Sequence, residues 1–264
     1  MAQVPSLLGR FLLVGKGKAN RDKEKSKHIA AARVLVSEWF ISNNVLNCIF
    51  SGANLIMSEN LDKIIPRYEF RAFAHSFGRV IDEIRERAAT EFIRESTDIY
   101  MVTAVNDTHN IKMRANLLDV KVLINVKQGL EQWYPALKLD FPVAAREIRK
   151  EIFPALKVET PDLGRELYTA EQFLLELVWQ HPDVRQARVF KQRFHFIIEG
   201  CMVEINELLI NGAAIKSVAV EGVDAAAVLR VRDMVGLRPY ENVNYLLAIK
   251  RVLGLAPLPD QAWS

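Results

Sequence analysis

From residue 64 onward the chain is a succession of short strand-length runs, and this limits its architecture more than any other feature. Alternating or apolar runs occupy 67–73, 92–102, 111–114, 117–124, 130–139, 187–198, 202–209, 214–221 and 243–249. Turn-forming residues separate them: Asn106-Asp107, Ala115-Asn116, Gln128-Gly129, Glu199-Gly200 and Asn211-Gly212. Helices intervene at three places. Ser76 is placed to cap a helix with Phe77, Val80, Ile81 and Ile84 on one side. Thr169 and Gln172 have capping-box spacing ahead of Phe173, Leu174, Leu177 and Val178. Asp224 caps a helix that Gly236 stops near Val235. Between the halves, 141–168 reads as a connector containing Pro142, Pro154 and Pro161. Many short strands with few helices predict a closed barrel or a sandwich of α+β class.

Strand periodicity puts every second residue on one face, so the charges can be sorted by parity. Glu69, Arg71 and Phe73 share a face, as do Lys112 and Arg114, and Asp119 and Lys121. In the second half Lys191, Arg193 and His195 share one, as do Glu204 and Asn206, and Ala219 and Glu221. Any one strand of this kind fits a solvated sheet face. Cations recurring on at least three strands form a single-sided basic surface, which repels itself unless an anion neutralises it. Arginine forks and lysine point charges suit phosphate oxygens.

At these residues the chain resembles the CYTH, or triphosphate tunnel metalloenzyme, family over roughly residues 64–254. Tyr68-Glu69-Phe70-Arg71-Ala72-Phe73 stands where that family opens with Glu-x-Glu-x-Lys, and Thr97-Asp98-Ile99-Tyr100 matches its next strand. Ile111-Lys112-Met113-Arg114 and Leu118-Asp119-Val120-Lys121 match its basic strands. Val189-Phe190-Lys191-Gln192-Arg193, Val203-Glu204-Ile205-Asn206 and Val218-Ala219-Val220-Glu221 match its Lys-x-Arg, Glu-x-Asp and Glu-x-Glu strands, and Asn244-Tyr245-Leu246 its closing element. The resemblance implies an α+β fold: a closed antiparallel eight-stranded β-barrel of triphosphate-tunnel type with flanking helices. It implies a triphosphate or polyphosphate-type ligand, a phosphorylated small molecule included, contacted by Arg71, Lys112, Arg114, Lys121, Lys191 and Arg193.

Carboxylate pairs in that family hold divalent metal, and here each pair has lost a member. Arg71 replaces a glutamate, Phe73 a lysine, Asn206 an aspartate and Ala219 a glutamate. Glu69, Glu204 and Glu221 remain as metal ligands for one Mg2+ or Mn2+ ion. Arg71 either replaces a metal ion electrostatically or pairs with Glu69 or Glu221. The expected function is therefore anion binding with metal-assisted hydrolysis of a terminal phosphoryl group, or else a non-catalytic phosphate-binding module or scaffold. No catalytic residue is assigned.

The remaining features bound the setting. Residues 1–60 form a basic extension set apart from a main domain over 61–258 and a tail over 259–264, with Lys16, Lys18, Arg21, Lys23, Lys25 and Lys27 in one run. Met57-Ser58-Glu59-Asn60 reads as a chain start. A net charge of +3 is too small to indicate nucleic acid, and aromatics do not interleave with the basic residues as a stacking platform requires. Cys48 and Cys201 lack metal or redox spacing and read as buried free thiols. The most apolar N-terminal window carries Arg33, Glu38, Asn43, Asn44 and Asn47, which argues against a membrane span. These readings place the protein in the cytoplasm, with a homodimer left open.

Overall fold

Eight antiparallel strands close on themselves, which decides between the barrel and the sandwich that periodicity alone left open. A computed structural model describes residues 65–259. The expected basic extension, the proposed start at Met57, Cys48 and all but the first residue of the tail fall outside those residues. The chain runs β1 (Tyr68–Ala74), α1 (Arg79–Arg87), β2 (Phe92–Val102), β3 (His109–Arg114), β4 (Leu117–Lys127) and β5 (Leu130–Asp140). A two-residue strand β6 (Val143–Ala144), a helical stretch α2 over 145–156, β7 (Leu167–Tyr168) and a second helical stretch α3 over 170–178 follow. Then come β8 (Arg185–Ile198), β9 (Cys201–Ile210), β10 (Ala213–Gly222), α4 (Ala225–Met234) and α5 (Tyr245–Val252). Around the barrel the order is β1-β10-β9-β8-β2-β3-β4-β5, and Tyr68 and Glu69 of β1 pair with Gln132 and Glu131 of β5 to complete the ring.

The hairpins close where two successive residues take positive φ, the twist that tight antiparallel turns need. Gln128-Gly129, Glu199-Gly200 and Asn211-Gly212 all do so. Among non-glycine residues Asn tolerates this backbone well, and Asn211 also accepts the Arg188 amide N–H at 2.8 Å, fixing the β8–β9 end.

Alternation along the strands makes three apolar layers. Outward residues of β1, β8, β9 and β10, among them Phe70, Ala72, Phe196, Val203, Ile205 and Val220, pack under α1 and α4 through Val80, Ile84, Val228 and Val231. Outward residues Ile111, Met113, Leu118 and Val120 pack under α2 and α3 through Ile148, Ile152, Phe173 and Leu177. The third layer lies inside the barrel. Phe73, Val102, Ala187, Val189, Leu208, Ile210 and Ile215 meet Leu246, Ala248 and Ile249 of α5. One end of the lumen is therefore filled by side chains, and the polar lumen is a pocket with an apolar floor. Each fully buried aliphatic residue in these layers contributes about 1.5–3 kcal/mol.

Three expectations change on inspection. The run 243–249 is not a strand: Asn244 accepts the Leu247 N–H at 2.9 Å and starts α5, whose buried Leu246 and Ile249 lie one helical turn apart. Ser76 is not the cap of α1, which starts after Gly78 with no side-chain cap. The segment 141–168 is no plain connector. Ile148, Ile152, Phe153 and Leu156 are wholly buried along α2, and π geometry over Ile148–Ile152 brings them onto one face. The capping box at Thr169 and Gln172 and the cap at Asp224 form as expected.

Candidate functional site

The inward parity of the strands gathers the charged residues around a cavity of about 220 Å³. Its walls include six cations, Arg71, Lys112, Arg114, Lys121, Lys191 and Arg193, against three carboxylates, Glu69, Glu204 and Glu221. At about 30 Å³ per water this is room for roughly seven waters. A larger hollow of about 900 Å³ lies outside the barrel against α1 and Tyr240 and carries none of these residues.

On the wall made by β1, β9 and β10, one guanidinium sits among three carboxylates. Arg71 Nε donates to Glu69 Oε1 at 2.5 Å, and Nη2 lies 3.4 Å from both Glu204 Oε2 and Glu221 Oε1. Nη1 approaches Ser217 Oγ at 3.4 Å, and the Tyr245 ring lies 4.9 Å from the guanidinium carbon. Arg71 is only 4% exposed. Burial disfavours its charge, but Glu69, Tyr245, Glu204 and Glu221 more than offset that and lift its pKa well above the usual arginine value. Glu221 carries the strain of this crowding: burial, then Glu69 and Glu204, push its carboxyl up to about 7. Burial also penalises Glu204, yet Arg71, His195 and Arg193 pull it below the ordinary range.

The wall made by β2, β3 and β8 has the opposite arrangement. Asp98, wholly buried, accepts two bonds from Arg114, Nε at 2.6 Å and Nη2 at 2.8 Å, and lies 3.0 Å from Lys191 Nζ. Burial would raise the Asp98 carboxyl, but Arg114, Lys191 and Lys112 hold it far below the usual carboxylate range. Lys191 also donates to Tyr100 Oη at 2.6 Å and sits 3.8 Å from the Tyr245 ring centre. Burial lowers the Lys191 pKa against the pull of Asp98. Asp98 takes a bidentate guanidinium and stays charged, so we read Lys191 and Asp98 as an ion pair.

Between the walls the partners thin out. Lys112 Nζ is 3.5 Å from Asp119 Oδ2, and burial, helped by Lys121, brings its pKa down to about 8. Arg193 Nη2 reaches Ser96 Oγ at 3.3 Å, while its buried Nε has no partner. The Lys121 side chain lines the cavity and forms no ion pair or hydrogen bond among the described residues. Buried polar atoms without partners also occur at Asn110 Oδ1, Asp119 Oδ1, both His195 ring nitrogens, Asn206 Oδ1 and the Tyr245 hydroxyl. Each such atom costs on the order of 1–3 kcal/mol unless water or a ligand meets it.

All nine residues expected to bind phosphate or metal thus line one cavity, but they are not equally available. Arg71 is engaged by the carboxylates, Arg114 and Lys191 by Asp98, and Lys112 by Asp119. Lys121 and Arg193 keep unshared donors. Reading the sequence missed several members. Asp98 and Tyr100 stood in a matched strand without a role. Arg94 has the same parity as both and lies opposite Arg193 in the β2–β8 register. Burial and the charges of Arg193 and Arg114 lower its pKa. Glu131, raised chiefly by burial, accepts from Trp133 Nε1 at 2.9 Å and from Asn244 Nδ2 at 2.9 Å. The parity rule already used for β3 and β8 would have set Arg94 beside this group, although its side chain is exposed and does not line the cavity.

A divalent metal does not fit the carboxylates as they stand. The three oxygens face a guanidinium at their centre, and among the described residues no group of three or more His, Cys, Asp or Glu side chains is arranged to hold a metal ion. Among the described residues no helix is long and apolar enough to cross a membrane, and Cys201 is a buried free thiol.

No family model and no curated protein matches the sequence. Among solved structures, a protein from Hippeastrum described as a putative adenylyl cyclase with a dominant triphosphatase activity overlaps with a TM-score of 0.40 at 14% identity, covering 72% of this chain and 98% of its own. A conserved hypothetical protein from Pyrococcus furiosus gives 0.36 at 16%, covering 67% and 98%, and a putative adenylate cyclase from Vibrio parahaemolyticus 0.32 at 9%, covering 72% and 98%.

Proposed function

We propose that the barrel lumen is a non-catalytic binding site for a phosphate-type anion, in the class of inorganic triphosphate or the phosphate chain of a phosphorylated small molecule. The observation that carries this reading is that six cations line one small cavity and two of them, Lys121 and Arg193, keep donors without a carboxylate partner among the described residues. Lys121 and Arg193 make the first contacts, because their donors are unshared. Arg114, Lys191 and Lys112 add positive potential from behind, already oriented by Asp98 and Asp119. Preorganised donors of this kind cost little reorganisation when an anion enters. The resemblance of the strand motifs to the triphosphate tunnel family supports the same ligand class. Hydrolysis has less support: among the described residues Glu69, Glu204 and Glu221 all face the Arg71 guanidinium and no group of three or more His, Cys, Asp or Glu side chains is arranged to hold a metal ion.

A scaffold reading has one observation in its favour, namely that four of the six cations already have internal carboxylate partners. Thermal unfolding of the full chain with inorganic triphosphate separates the two. At about 100 times its dissociation constant a ligand stabilises by about 2.7 kcal/mol. The binding reading expects that shift in the native protein and its loss in a Lys121→Ala, Arg193→Ala double variant. A native protein unmoved by triphosphate, phosphate and ATP would leave the scaffold.

A further inference from the structure

We infer that Arg71 is a built-in cation, a guanidinium occupying a carboxylate site that would accept a divalent ion if the arginine were absent. The inference deepens the anion-binding reading by giving the metal-independence of that site a cause, but it is tested on the acidic wall alone. β1 and the sequence-distant β9–β10 hairpin aim Glu69, Glu204 and Glu221 at the Arg71 guanidinium. Ordinary charge-assisted bonds from nitrogen to a carboxylate are about 2.7–2.9 Å long. Only Glu69 meets Arg71 closely, whereas Glu204 and Glu221 both lie 3.4 Å from the same Nη2. A planar fork thus serves one carboxylate well and draws the other two mainly as a charge.

A second observation comes from β8 and β9. His195 is 6% exposed, its Nδ1 lies 3.4 Å from Glu204 Oε1 without hydrogen-bond geometry, and neither ring nitrogen has a partner. Asn206 is wholly buried two residues beyond Glu204, and its Oδ1 is unpartnered. Oxygen-rich surroundings with spare buried acceptors suit a hard divalent ion, which takes carboxylate and amide oxygens at about 2.0–2.6 Å. Arg71 occupies that place with a single charge and keeps the oxygens further out.

Mn2+ alone is the probe. The free aquo-ion signal is measured by electron paramagnetic resonance with the full native chain, with Arg71→Ala and with Arg71→Ala, Glu204→Gln. Native protein is expected to leave the signal unchanged. The single variant is expected to take up about one Mn2+ ion per chain and to melt at higher temperature with the ion than without it, because the three carboxylates form one oxygen site. Both effects should vanish in the double variant. Uptake by native protein that Glu204→Gln abolishes would overturn the inference, and so would a folded Arg71→Ala protein that takes up none. If Arg71→Ala is unfolded in chelator, recovery of structure with Mn2+ supports the inference and failure to recover at millimolar ion overturns it. Triphosphate binding by native protein in chelator is read separately. Its absence would sink the anion site and leave the Mn2+ result intact.

Discussion

Two knots of charge face each other across the lumen, and they are inverses. On β1, β9 and β10 one cation, Arg71, is held by three carboxylates, Glu69, Glu204 and Glu221. On β2, β3 and β8 one anion, Asp98, is held by Arg114 and Lys191, with Lys112 near enough to depress its pKa. Both centres are nearly inaccessible, yet the surplus charge has opposite sign, so the lumen has an acidic wall and a basic wall. The acidic wall sheds surplus charge by holding a proton, since Glu221 titrates near 7. The basic wall can also shed charge, since burial brings Lys112 down to about 8 and lowers Lys191, but its arginines stay charged at any accessible pH. An anion entering the proposed site would gain most where Lys121 of β4 and Arg193 of β8 still have donors to give.

Removing the centre of each knot tests that inversion most severely. Asp98→Ala leaves a guanidinium and an ammonium buried together, and breaking a buried pair from one side costs about 3–5 kcal/mol. We expect the denaturant midpoint to fall accordingly, and triphosphate to stabilise this variant more than the native protein by filling the lost negative charge. Equal stabilisation of the two would break the comparison. Arg71→Ala should cost less, about 3 kcal/mol at neutral pH, because Glu221 can take up a proton to relieve the repulsion left behind. If its cost exceeds that of Asp98→Ala, the acidic wall lacks this relief.

The two knots also differ in the direction of their pH dependence. Glu221 is raised in the folded state, so its contribution is full below about pH 4.5 and is lost as pH rises through about 7, by about 3 kcal/mol. Asp98 is depressed, so its contribution is present above about pH 4 and is lost as the pH falls below that. Unfolding measured from pH 4.5 to 8 should show a decline that Glu221→Gln flattens, and an unaltered slope in that variant would contradict the assignment. The smallest effect concerns affinity. Lys121→Ala or Arg193→Ala should each weaken triphosphate binding about tenfold, near 1.4 kcal/mol, with little change in stability without ligand. A loss of stability without a loss of affinity would move those residues to a structural role.

Much of this was legible in the sequence. Period two put Glu69 with Arg71, Lys112 with Arg114, and Lys191 with Arg193 on shared faces, the resemblance to a tunnel family turned those faces inward, and the Gly-containing turns set hairpins that keep the parity in register. Pairing was not legible. Nothing near Thr97-Asp98-Ile99-Tyr100 in sequence announces that Asp98 will neutralise residues 16 and 93 positions away, because that depends on how three strands are brought together. Helix α5 was misread for a different reason. An apolar stretch as short as 243–249 fits either period, and only the Asn244 cap distinguishes them. Segment 145–156 was masked by Pro154 and by Pro142 and Pro161 on either side, although the chain stays helical through Pro154, where α geometry resumes after the π-helical stretch.

The proposed anion site has Arg71 in place of a metal ion. Calorimetric titration of the full native chain with inorganic triphosphate, once in EDTA and once in excess Mg2+ at matched ionic strength, tests it most directly. The predicted result is saturable binding in EDTA with a dissociation constant that Mg2+ shifts by no more than about threefold, well under the tenfold that 1.4 kcal/mol would produce. Binding that appears only with Mg2+, or no binding under either condition, would contradict it.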